Sequence, residues 1–185
     1  MIALLPRVAL TASLVAGLSA CSAEDDDCTE FASTEQTIGI THSAGLAPDG
    51  DDVRQATDED PLLLGELVAG GGDGSASSTV AVYQSGSPSP DEIGWFTSSA
   101  IGREAERRGP AALAMEPYPT TEVSIDGMAA YRSELATDDG AVYTAWVIPG
   151  EEHSLDIVLR QGEDALAEEN LADDLPDLIS AGGCE

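Results

Sequence analysis

The chain has 185 residues, 35 acidic against 7 basic, no lysine, and a formal net charge of −28. Such a surface repels nucleic-acid phosphates and anionic headgroups, which excludes a basic nucleic-acid patch, and a lysine-dependent P-loop cannot be built. Aromatics are only 4%, so a single domain with a core mainly of Val, Leu, Ile and Ala is expected. The acidity reads first as a solvated surface; attraction to a cationic partner or to divalent ions is the functional alternative.

Residues 1–20 have the three regions of an export signal: Arg7, an apolar run from Val8 to Leu18, and a small-residue cleavage region. The run is too short for a spanning helix, which needs about twenty apolar residues, and Gly17 interrupts it. Leu18-Ser19-Ala20-Cys21, directly before Glu24-Asp25-Asp26-Asp27, looks like a bacterial lipobox. On that reading the peptide before Cys21 is removed and Cys21 is lipidated. More than one acyl chain, at about 0.8 kcal/mol per buried methylene, then holds the protein stably at the membrane. The expected address is the extracytoplasmic face of a cell membrane.

Residues 21–33 read as the lipidated Cys and an acidic tether, with one domain from 34 to 185. Two cysteines remain, Cys28 and Cys184. In an oxidising compartment they suggest a disulfide that closes nearly the whole domain, against the alternative of two free thiols. Neither has a Cys/His setting for catalysis.

Along the domain, Thr34 to Thr41 begins an extended pattern, and Ala44 to Asp60 reads as an acidic loop. Pro61 to Ala69 and Thr79 to Gln84 read as strands joined by Gly70-Gly71-Gly72-Asp73-Gly74-Ser75. Ser89-Pro90-Asp91-Glu92 is a capping box that opens a helix carrying Ile93, Phe96, Ala100 and Ala105 on one face. Arg103, Arg107 and Arg108 load its last turns, where the helix dipole favours cations, and Gly109-Pro110 stops it. Four strands follow as a meander: Glu122 to Ile125, Met128 to Leu135, Val142 to Ile148 and Leu155 to Leu159. Asp126-Gly127, Asp138-Asp139-Gly140 and Pro149-Gly150-Glu151-Glu152 supply the turns. Asp164 to Ala181 reads as an amphipathic helix that Pro176 kinks or restarts. The order predicts an α+β domain, an antiparallel β-sheet with packed helices.

Chemistry-bearing residues are sparse. His42 and His153 are the only histidines, and they read as surface or strand-end residues. Asp49, Asp51, Asp52, Asp58 and Asp60, with Glu59, could offer oxygen ligands to Ca²⁺. Their spacing is not that of an EF-hand, and a solvated loop is the plainer reading. No Gly-x-Ser-x-Gly elbow is present, and Ser154 beside His153 makes no triad by adjacency. No cofactor motif stands out. Trp95 and Trp146 read as core, or as the walls of an apolar pocket.

Three features give the chain a resemblance to the PsbP-like lipoproteins, including the LpqN-type lipoproteins of high-GC Gram-positive bacteria. They are the lipobox, the strand-turn-strand Ile125-Asp126-Gly127-Met128-Ala129-Ala130-Tyr131-Arg132, and Val142 to Ile148 followed by a turn, a strand and a closing segment. The resemblance covers roughly Thr34 to Ala181 and is weakest at His42 to Val53. It implies a PsbP-like fold with an accessory or binding role, for a protein partner or an apolar ligand, without catalysis. A Ca²⁺-binding module on the acidic loops and a hydrolase built from scattered carboxylates are the competing expectations.

Overall fold

A computed structural model describes residues 28–42, 46–48, 63–70, 76–108, 116–166 and 171–184, and structural statements below refer to these. The core is a seven-stranded antiparallel sheet in the order β3-β4-β5-β9-β8-β7-β6. Its strands are β3 (Leu46–Pro48), β4 (Leu63–Gly70), β5 (Ala76–Gly86), β6 (Thr121–Ile125), β7 (Met128–Ala136), β8 (Val142–Pro149) and β9 (His153–Gln161). The meander from β6 to β9 is the one that the turn signals predict. The hairpin of β4 and β5 forms as well, and β5 runs beyond the predicted Thr79 to Gln84 at both ends.

A second sheet, absent from the sequence reading, holds β1 (Cys28–Ala32), β2 (Thr37–Thr41) and β10 (Ile179–Ala181) in the order β1-β2-β10. Two expectations change here. The segment read as tether begins the domain six residues earlier, at Cys28. Its composition, Cys-Thr-Glu-Phe-Ala, carries little strand signal; pairing along β2 and burial of Phe31 hold it extended. The closing helix is also divided, into α2 (Glu163–Leu166) and α3 (Leu171–Leu178), and its last residues leave as β10. Pro176 lies inside α3 and offers no amide; the helix ends two residues later, at Leu178, and β-branched Ile179 pairs with Ile40.

Helix α1 (Ile93–Arg108) covers one face of the large sheet. The small sheet and α3 cover the other. Alternation along β5 divides the side chains: Ala81 and Tyr83 point to α1, Val80 and Val82 to the small sheet. At the start of α1 only half of the predicted capping box forms. The Ser89 amide donates to the Glu92 carboxylate (3.2 Å) and the Ser89 hydroxyl does the same (2.6 Å). These bonds hold the Glu92 carboxyl below its ordinary pKa. No helix among the described residues is long and apolar enough to cross a membrane.

A disulfide joins Cys28, the first residue of β1, to Cys184, with Cα atoms 6.0 Å apart. The chain must fold back across β2 to make it. Gly182 and Gly183 both take left-handed backbone (φ 89° and 103°), and a Cβ on Gly39 would lie 2.7 Å from the Gly183 carbonyl carbon. Three glycines therefore let the tail cross the small sheet at backbone contact.

Candidate functional site

Two polar constellations stand out, one on each side of the large sheet. On the helix side, Glu104 is fully buried and fully engaged. It accepts the Tyr83 hydroxyl, Arg107 Nε (2.9 Å) and Nη2 (2.8 Å), and Arg108 Nε (2.9 Å). Arg107 also reaches Glu66 (2.9 Å), and Arg108 contacts the other oxygen of the same carboxylate. Burial, then the charge of Glu104, push the Tyr83 phenol well above its ordinary pKa, so it stays a donor. Arg103 lies over the Tyr83 ring (5.0 Å to the centroid) and 3.6 Å from Asp156. Asp156 accepts hydrogen bonds from Ser85 (2.7 Å) and Ser154 (2.9 Å). Burial raises its pKa, and the serines and Arg103 oppose that. Every carboxylate here is spent on pinning α1 to β4, β5 and β9, so this is a structural network.

On the other side, the turn between β1 and β2 clasps the turn between β8 and β9. Glu35 accepts the amides of Glu151 (2.8 Å) and Glu152 (3.0 Å) and lies 3.1 Å from His153 Nδ1. These bonds, the one from His153 foremost, hold the Glu35 carboxyl below its ordinary pKa. Gly150 is at the centre of the clasp: a Cβ there would come within 2.4 Å of Gln36 Nε2 and 2.6 Å of the Glu35 carboxylate. Beside the clasp opens a cleft of about 480 Å³ between Glu35 to Thr37, Met128 and Ala129, Ile148 and Pro149, and Ala181 and Gly182. The Asp126 carboxylate, accepting the Ala181 amide (2.8 Å), ties the β6–β7 turn to β10 next to it.

The clasp is not a catalytic triad. Thr34 Oγ1 and Glu35 both meet His153 through Nδ1, at 3.1 Å each. A triad needs hydroxyl and carboxylate on opposite ring nitrogens, so that the imidazole can pass a proton between them. Ser154 points to the opposite face of the sheet, where it bonds Asp156 and Ser85 (2.7 Å), because neighbours on a strand alternate. Glu35, Glu152 and His153 place three ligand-type atoms within 4.8 Å of one another. Glu35 already holds two backbone amides.

The predicted site residues separate clearly. Cys28 and Cys184 are joined. Cys21 and the acidic residues Asp49, Asp51, Asp52, Asp58 and Asp60 lie outside the described residues. The two histidines are at opposite ends of the small sheet, His42 bonded to Thr29 (2.6 Å) next to Cys28, and His153 at the clasp. Trp146 is fully buried, whereas Trp95 is 46% exposed on α1 and belongs to no core. The arginines at the end of α1 face carboxylates as well as the helix terminus. Glu104, three and four residues before Arg107 and Arg108, was a legible helical pair. Nothing local marks Glu35, Glu66 or Asp156.

No family model matches the sequence, and no curated protein does. Among solved structures, the chain is similar to cyanobacterial PsbP (CyanoP) from Synechocystis sp. PCC 6803, with TM-score 0.53 and 16% identity over 89% of this chain and 98% of that one. A crystal structure of a protein from Bacteroides thetaiotaomicron VPI-5482 matches with TM-score 0.40 and 8% identity over 78% of this chain. The match spans 44% of that protein's length. The likeness to CyanoP shows a PsbP-like fold: one α+β domain of antiparallel sheets with packed helices.

Proposed function

We propose that this protein is a lipid-anchored, extracytoplasmic accessory protein that binds a partner through its PsbP-like domain and catalyses no reaction. One observation carries this reading: the domain is closed by a Cys28–Cys184 disulfide that starts seven residues after the lipobox cysteine. A disulfide belongs to an oxidising compartment, which is where the leader sends the chain. Seven residues span at most about 25 Å, so an anchor at Cys21 holds the domain close to the bilayer by the Cys28 end of the small sheet.

The absence of a proton-passing arrangement at His153 supports the non-catalytic half. The test is to produce the full-length chain in a bacterium that matures lipoproteins, then to fractionate membranes and weigh the intact protein. A membrane-bound chain starting at Cys21 and heavier by a diacylglyceryl group is expected, and Cys21→Ser should release the chain. A chain that keeps residues 1–20 and stays in the cytoplasm overturns the proposal.

A further inference from the structure

We infer that the cleft between the small sheet and the β7–β8 end of the large sheet docks an extended, basic segment of a partner protein. This rests on the binding role proposed above and names the partner's chemistry. The floor is apolar, made by Met128, Ile148 and Pro149. At about 480 Å³ it is within the size of ligand pockets. Glu35 stands in its wall, and Glu151 and Glu152, both exposed, flank the clasp beside it. Asp126 closes the neighbouring corner.

No positive group among the described residues offsets these carboxylates apart from His153 when it is protonated. Arg103, Arg107 and Arg108 are held on the opposite side of the large sheet by Asp156, Glu104 and Glu66. Arg132 bridges Glu134 and Asp173, and Arg160 stands opposite Tyr143 on the α1 face of the large sheet. A cationic side chain is therefore the complement of this wall, and an apolar side chain that of the floor. An extended segment offers both alternately. Ala181 and Gly182, at the end of β10, complete the wall on the far side. The cleft lies at the end of the small sheet opposite Cys28, so a chain anchored through Cys21 presents it away from the bilayer.

The experiment uses the full-length chain in detergent and a nine-residue peptide of alternating Arg and Val, with a Glu–Val peptide of equal length as control. Binding is read by titration and by amide shifts in nuclear magnetic resonance. The Arg–Val peptide should shift amides around Thr37, Ala129 and Ala181, and the Glu–Val peptide should not. Ala181→Trp, which fills the cleft from an exposed position on the face of β10 that carries Ile179, should weaken binding at least tenfold. Glu151→Gln with Glu152→Gln, whose side chains hold nothing in the fold, should weaken it severalfold, with unchanged melting temperature. Shifts elsewhere on the acidic surface, or binding that Ala181→Trp leaves unchanged, overturn the assignment. The mass of the same preparation reads lipidation separately, so loss of the cleft and loss of the anchor are told apart.

Discussion

The two faces of the large sheet are held by different physics. The face under α1 is laced with charge: Glu104, Asp156, Glu66 and three arginines, with small residues such as Ala81, Ala100 and Ala145 filling between them. The face under the small sheet is aliphatic, with Phe31, Ile38, Ile40, Leu155, Ile157 and Trp146 fully or almost fully buried. Its cover is a three-stranded sheet with little area of its own. That cover is fastened at one end by the disulfide and at the other by the Glu35 clasp. A helix carries its own backbone bonds and can be fixed by side-chain ion pairs. A small sheet with a three-residue edge strand needs covalent and backbone fastening.

Removing a fastening should separate the faces most. Cys184→Ser, or reduction of the wild type, releases a closed loop with a sequence separation of 156, worth about 5 kcal/mol in the chain-entropy model. Urea titration with and without reductant measures it. Hydrogen exchange should speed up first in β1, β2 and β10, while α1 stays protected. Uniform loss of protection would falsify the idea that the faces are held independently.

Trp146→Ala empties the aliphatic face and should cost about 3–5 kcal/mol. Trp146→Phe should cost much less, because the buried indole N–H makes no hydrogen bond among the described residues. A Phe variant as damaging as Ala would show that the indole does more than fill space.

Glu104→Ala strips the helix face of its central acceptor. It leaves the buried Tyr83 hydroxyl without its acceptor and removes one of the two carboxylates that hold Arg107 and Arg108; both arginines keep Glu66 and are partly solvated, so the cost should be about 3 kcal/mol, at the low end for a broken buried pair. Combining it with Tyr83→Phe should cost less than the sum of the two single changes, since the double variant leaves no orphaned hydroxyl. Strict additivity in a double-mutant cycle would place the hydroxyl outside the network.

The smallest effect is the pH dependence of the clasp. The folded pKa of Glu35 is lowered. Its contribution is therefore fully present above the ordinary glutamate range, near pH 4.3, and is lost as pH falls through the lower folded value. Glu35→Gln should flatten that part of the acid limb of a stability–pH curve and leave the neutral arm almost level. An unchanged acid limb would mean that the clasp holds equally well without the charge.

The meander was legible because each strand signals itself locally, by alternation and by turn residues such as Asp126-Gly127 and Asp139-Gly140. Helix α1 was legible for the same reason, from Ser89-Pro90 to Gly109-Pro110. The small sheet was not. Cys28–Ala32 reads as tether and Ile179–Ala181 as helix, because their strand character comes from partners 5 to 143 residues away, from Ala32 with Thr37 to Ala181 with Ile38. The candidate cleft was hidden with it, since its walls come from the β1–β2 turn, the β7 start, the β8 end and the tail.

The sequence by itself determined the expected export address, the acidic surface, the cysteine pair and the antiparallel α+β class. Composition, short motifs and periodicity are properties of neighbouring residues, and need no fold to be read. Only the tertiary structure decided which carboxylates do work. Asp156 and Glu35 are two acids among 35 that differ from the rest in what long-range packing sets against them, and Glu104 adds to its helical arginines a tyrosine 21 residues away.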